Sequence, residues 1–233
     1  MGWQRLNLRQ LNPLITLFTM KKILLAFAVC LTALSASAQF ETAKQVYESP
    51  KLKDAVKAHK LVAILPFTVK ITYKKLPKNY DAAANQNQEI QMGKSIQSSM
   101  YTYLLRKADN YTVTFQDVEK TNVLLNRAKF ADSLSMHTKD EIAKVLGVDA
   151  VMFGTYDQET TKSESGAIIT TALFGGLGSK TGEGGITLQI ANGSDGEMIW
   201  RYTKRMNESL FTSTDDVIER QMRKISRNFP YSK

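Results

Sequence analysis

The stretch Leu61-Val62-Ala63-Ile64-Leu65-Pro66-Phe67 decides how the chain is read. It is apolar throughout, β-branched in part, and interrupted near its end by a proline. A short apolar run without polar alternation predicts a strand buried on both faces, as at the centre of an α/β sheet. A second run, Ala150-Val151-Met152-Phe153-Gly154-Thr155-Tyr156, has the same character and follows directly on a helix that stops at Gly147. The expectation is that these two strands lie side by side and that the domain hangs on them.

Outward from the first run, residues 39–59 read as a partly ordered lead-in with one short helix. The weak helical spacing of Tyr47, Leu52 and Val56 is broken by Pro50. After the run, Val69-Lys70-Ile71-Thr72-Tyr73 alternates, so the strand continues or bends towards an edge. Leu76–Ala84, with Pro77 and Asn79, reads as a loop. A long helix is predicted from about Asn87 to Lys107. Met92, Ile96, Met100, Tyr103 and Leu104 form its buried stripe, with Lys94, Gln97 and Ser98 facing away. Gly93 inside that helix costs about 1 kcal/mol against alanine, which suggests a close approach to the sheet.

Tyr111–Phe115 alternates as a strand, and Asp117 to about Lys129 carries a helix with Val118, Leu124 and Leu125 inward. Thr138 and Glu141 have the spacing of a capping box for a helix that buries Ile142, Val145 and Leu146 and ends at Gly147. Ile186–Ala191 and Met198–Thr203 alternate about the turn Asn192–Gly196, an antiparallel hairpin. Trp200 on its second strand is expected in the core. A last helix opens at Ser213, buries Ile218, Met222, Ile225 and Phe229, and stops at Pro230. The fold class is therefore α/β (α+β). The expectation is a single domain over residues 60–230, a mixed five- to six-stranded sheet packed with helices, with a C-terminal β-hairpin and then a helix.

Not all 233 residues belong to that domain. Residues 1–19 read as lying upstream of the true start. Met20 then opens an export signal: Lys21 and Lys22, an apolar core Ile23–Leu34, and the small-residue site Ala36-Ser37-Ala38. Cleavage is expected after Ala38. The apolar core is about a dozen residues, short of the roughly 20 that span a bilayer. Cys30, the one cysteine, follows Val29 rather than a small residue, so lipidation there is not expected. A chain cut at Ala38 has no cysteine, hence no disulfide and no thiol chemistry. Its formal charge is +9 less the four basic residues Arg5, Arg9, Lys21 and Lys22, or +5. The lysines and arginines are spread as solvated faces, and no aromatic-basic stripe points to nucleic acid.

Three motifs carry a resemblance: Val62-Ala63-Ile64-Leu65-Pro66-Phe67, Leu146-Gly147-Val148-Asp149-Ala150-Val151-Met152-Phe153-Gly154, and Gly196-Glu197-Met198-Ile199-Trp200. Over about residues 60–228 the chain resembles exported domains of the CsgG type and the N-terminal domain of TolB, and is similar to the LpoB-type activators of penicillin-binding proteins. The resemblance implies a non-enzymatic component of the periplasm or outer membrane, working through contacts with envelope proteins and possible homo-oligomers. Pores of the CsgG type are lipidated and carry two membrane-crossing β segments per subunit. The one apolar candidate here, residues 167–178, does not alternate as a barrel strand does.

No catalytic, cofactor-binding or metal-ligating set stands out. Gly178-Ser179-Lys180-Thr181 lacks the glycine that a phosphate loop needs directly before its lysine. His59 and His137 have no ligand spacing and read as surface or loop residues. Asp81 and Glu89 have no evident carboxylate partner. The Gly-rich segment 160–185 does hold Ile168, Ile169, Leu173, Phe174 and Leu177, which are costly to leave in water. These five are the candidate contact residues, for a partner protein or for a membrane surface. The expected function is that of an exported envelope adaptor or assembly subunit. The alternative is a membrane-associating, CsgG-like oligomer using residues 166–178.

Overall fold

In the computed structural model the residues described are 44–160, 181–207 and 214–233. Strands β1 (Gln45–Glu48), β2 (Leu61–Ile64), β3 (Thr68–Tyr73), β4 (Thr114–Phe115), β5 (Ala150–Thr160), β6 (Thr181–Asn192) and β7 (Met198–Asn207) make one mixed sheet. Its order is β1-β7-β6-β5-β2-β4, with β3 also paired to β5. Five helices pack on it: α1 (Leu52–Ala58), α2 (Ala82–Leu105), α3 (Val118–Arg127), α4 (Lys139–Leu146) and α5 (Thr214–Ile225).

The two apolar runs are neighbours, as their composition requires. β2 and β5 are parallel, with Val62 opposite Ala150 and Ile64 opposite Met152. Alternate residues of each feed different faces. Val62, Ile64, Ala150 and Met152 join the core under α2 and α5, whereas Ala63, Leu65 and Val151 join the core under α3 and α4. Both faces are covered where the two strands pair, and over that stretch both are therefore apolar at every position.

Pro66 splits the first run. After Ile64, β5 next pairs with Thr68 opposite Thr155, so Leu65, Pro66 and Phe67 stand against only Phe153 and Gly154. This one-residue excess is a bulge. Leu65 N–H still reaches Met152 O at 2.8 Å, but Phe67 N–H turns out of the sheet to Gly93 O on α2 at 3.2 Å. A Cβ on Gly93 would lie 2.1 Å from Phe67 O, and one on Gly154 would lie 2.3 Å from Thr187 O and 2.5 Å from the Phe67 ring. Helix, bulge and β5 meet here with no room for a methyl group.

Several elements depart from the sequence reading. The sheet has seven strands, not five or six, because the lead-in supplies one. Gln45–Glu48, in the lead-in read as partly ordered with one short helix, pairs antiparallel with β7, while the short helix is α1. α2 begins at Ala82, five residues earlier than predicted, because Asp81 Oδ1 accepts from the N–H groups of Ala83 (2.8 Å) and Ala84 (3.1 Å). Gln97 does not face away but is fully buried. The cause is the shortness of β4, which stops at Phe115. Gln116 N–H takes Val62 O, and the next carbonyl on that edge, Ile64 O, is met by Gln97 Nε2 at 2.7 Å.

Other expectations hold. Thr138 N–H donates to Glu141 Oε2 at 3.1 Å in a capping box, and Gly147 closes α4 at φ +66°. Trp200 is buried, and Ile218, Met222, Ile225 and Phe229 face inward. Phe229 sits edge-on to Tyr111, Trp200 and Tyr231 at 5.6–6.0 Å between ring centres.

Replacing Gly93 or Gly154 by alanine forces backbone apart and should cost about 1–3 kcal/mol each. Gly185, where an added Cβ has Lys204 O at 3.8 Å as its nearest neighbour, should accept alanine with little change. Thermal melting of the three variants checks this ranking.

Candidate functional site

A polar constellation lies where β2 and β5 begin. α1 ends at Ala58, and His59 follows in extended conformation, buried to 5% exposure. Its Nδ1 is 2.8 Å from Tyr231 Oη and its Nε2 is 3.1 Å from Asn192 Oδ1. Asn192 Nδ2 donates to Ser194 Oγ (2.8 Å) and Asp195 Oδ1 (3.0 Å), which turns Oδ1 towards the imidazole. With Oδ1 so placed, Nε2 is the nitrogen that donates to Asn192, which leaves Nδ1 to meet the tyrosine hydroxyl. Burial, with the Asp149 charge second, pushes the Tyr231 phenol far above the ordinary tyrosine range.

Asp149 is the second part of the cluster. Its Oδ2 accepts from Lys60 N–H and Leu61 N–H, both at 2.8 Å. Its own N–H donates to Leu61 O at 2.9 Å, and its carbonyl accepts from Gly193 N–H at 2.8 Å. The Leu61 N–H bond is the largest influence and holds its carboxyl below the usual aspartate range; burial, second in size, opposes it, and the Lys60 N–H and nearby positive charge add smaller help. A shallow depression of about 390 Å³, lined by Ala55, His59, Asp149, Asn192 and Gly193 among others, opens over these groups.

That depression is built as a joint. Both nitrogens of His59 are engaged, Asp149 Oδ2 already holds two backbone donors, and the Tyr231 hydroxyl faces the imidazole. The arrangement ties α1, the starts of β2 and β5, the β6–β7 turn and the C-terminus together. His59, read from the sequence as a surface or loop residue, is thus an interior connector. Its partners stand 133 and 172 residues away in the chain, and no local pattern announces them.

The remaining sequence candidates fall in several places. His137 stacks on Phe130 with ring centres 3.5 Å apart, and its Nδ1 is 3.5 Å from Glu141. Asp81 caps α2, and Glu89 Oε1 accepts from Ile71 N–H (2.8 Å) and Asn85 Nδ2 (3.1 Å). Among the described residues no group of three or more His, Cys, Asp or Glu is placed to hold a metal ion. No helix among them is long and apolar enough to cross a membrane. Parts of the basic surface are locally neutralised: Lys51 pairs with Glu197 at 2.5 Å, and Glu219 with Arg223 (2.7 Å) and Arg106 (3.4 Å).

Ile168, Ile169, Leu173, Phe174 and Leu177 lie outside the described residues. The structure does fix where their segment leaves and returns. β5 and β6 pair antiparallel as far as Thr160 opposite Thr181, so residues 161–180 join two adjacent strand ends at one end of the sheet.

No family model matches the chain, and no curated protein matches it. Among solved structures, lipoprotein GNA1162 from Neisseria meningitidis is similar at 10% identity and TM-score 0.44, over 72% of this chain and 96% of that one. The PelC dodecamer from Paraburkholderia phytofirmans is similar at 15% identity and TM-score 0.39, over 82% and 99%. The C-terminal domain of LpoB from Escherichia coli is similar at 11% identity and TM-score 0.31, over 68% and 94%. These likenesses are distant, and none assigns a role to a residue of this chain.

Asp149→Asn should lower stability at pH 7 by roughly 1 kcal/mol, the value of a charge-assisted bond discounted for solvent exposure. The folded carboxyl titrates below its unfolded value of about 3.9, so its stabilisation is complete above that pH and is lost as pH falls through the lower folded value. Denaturant titrations of both proteins should show a gap at pH 7 that narrows below about pH 4. A gap independent of pH would leave the charge without a part in the joint.

Proposed function

We propose that this is a non-enzymatic exported envelope protein of the CsgG and TolB N-terminal type, an adaptor or assembly subunit acting through protein contacts. Its working element is the segment that joins β5 to β6, with Ile168, Ile169, Leu173, Phe174 and Leu177 as the contacting side chains. The pairing of β5 and β6 up to Thr160 and Thr181 carries this reading. It presents a glycine-rich segment bearing an apolar cluster from two rigid, paired strands, the arrangement in which binding loops are held by a scaffold. The export signal at residues 20–38 supplies the compartment, the periplasm or the outer-membrane face. The polar cluster around His59 and Asp149 is spent on joining elements, which fits a protein whose surfaces rather than whose clefts do the work.

The alternative reading takes the same segment into a lipid surface, as part of a membrane-associating oligomer. The apolar content of 167–178 favours it, and the lack of barrel alternation there weighs against a spanning role.

Deleting residues 167–178 from the full chain should abolish co-purification of an envelope protein while leaving the melting transition unchanged. Flotation with liposomes that disappears on the same deletion would assign the segment to the membrane instead. Retention of both behaviours by the deletion variant would remove the segment from the function.

A further inference from the structure

β1 ends the sheet at one side, and its residues from Gln45 to Glu48 are all exposed, as is Lys44 before it. Among the described strands β1 pairs only with β7. Its outward backbone groups can be identified. Ser49 N–H donates to Ile199 O, which places the N–H and C=O of odd-numbered residues towards β7 in this antiparallel pair. Along a strand these groups alternate, so those of Lys44, Val46 and Glu48 point away from the sheet.

These three residues match themselves in reverse. In an antiparallel pairing of two copies centred on Val46, Val46 faces its own counterpart, and Lys44 of each copy faces Glu48 of the other. All three outward residues then form hydrogen-bonded pairs, six backbone bonds in total by the antiparallel rule of two per such pair. Side-chain directions agree as well. Lys44, Val46 and Glu48 share one face of the strand, so each ammonium meets a carboxylate on the same side. Gln45 and Tyr47 face each other on the opposite side, and Tyr47 is 47% exposed and Val46 37% exposed. Centring on Lys44 or Glu48 instead sets like charges against each other, and the latter also puts Pro50 opposite Val46, where its missing N–H breaks the ladder.

We propose that two copies of this chain associate through β1 in this register, a two-fold dimer whose sheet runs through both subunits. The occupant of the free edge is a second copy because parity, charge and the two-fold all select the same alignment. The contact is short, below the size of a permanent interface, so the dimer is weak and concentration-dependent. It uses a different part of the molecule from the β5–β6 segment and stands or falls separately from the function proposed above.

Sedimentation equilibrium of the full chain, exported and processed by its host, is the test. The expected result is a monomer–dimer equilibrium at roughly 10–500 µM, within the range of weak interfaces. Val46→Pro removes the central outward N–H, where an edge strand tolerates proline, and should leave a stable monomer. Lys44→Glu or Glu48→Lys alone should weaken association about tenfold or more, since each sets like charges opposite each other twice per dimer. The double reversal Lys44→Glu with Glu48→Lys restores both pairs and should restore the dimer. A wild-type chain that stays monomeric throughout that range overturns the proposal. So does a dimer that persists in Val46→Pro with unchanged melting, or a double reversal no better than the single ones.

Discussion

The Phe67 bulge, gripped between Gly93 on one side and Gly154 on the other, is the contact on which the architecture depends. Pro66 cannot donate to a ladder, so the first strand has to stop hydrogen-bonding in the ordinary way at that point. The chain answers by inserting one extra residue and passing the Phe67 N–H to a helix carbonyl rather than to a strand. That choice sets the height of α2 above the sheet. It also lets β5 keep a partner along nearly its whole length, β2 against its first part and β3 against its second.

Once α2 is seated there, the polar interior follows. Gln97 is brought over the Ile64 carbonyl that β4 is too short to reach. Glu89, two turns earlier on the helix, collects the Ile71 N–H on β3. At the other end of the same strands, Asp149 and His59 gather the chain starts, the hairpin turn and the C-terminal Tyr231 into one joint. Each of these groups satisfies a backbone or side-chain partner that the sheet leaves over, which is the usual reason a buried amide or imidazole such as Gln97 or His59 is tolerated.

Much of this was legible in the residues. A run with almost no polar residue implies burial on both faces, and Val62–Leu65 and Ala150–Met152 behave so. Gly147 and the Thr138–Glu141 pair act within a few residues, and local rules find them. Gly93 was legible as an oddity, since nothing but a close neighbour justifies a glycine in mid-helix. What escaped depends on distant geometry. Gln97 is polar on a helical pattern that otherwise sorts correctly, and only the early end of β4 explains its burial. His59 has partners far along the chain, at Asn192 and Tyr231. β1 is four exposed residues with no apolar periodicity, held by β7 alone, so its strand state comes from its neighbour and not from its own sequence. The candidate contact residues at 168–177 rest on sequence and on the placement of their flanking strands.

A sheet organised in this way should be most resistant where the two apolar runs and the bulge meet. Native-state hydrogen exchange, resolved by residue, measures that directly. The account predicts that the amides of Leu65 and Phe67 exchange only through global unfolding, with the same free energy as those of Val151–Gly154, although Phe67 lies outside any strand. A Phe67 amide that exchanges with the fast, local opening of an ordinary loop would contradict it, because the bulge would then be a connection and not the clamp.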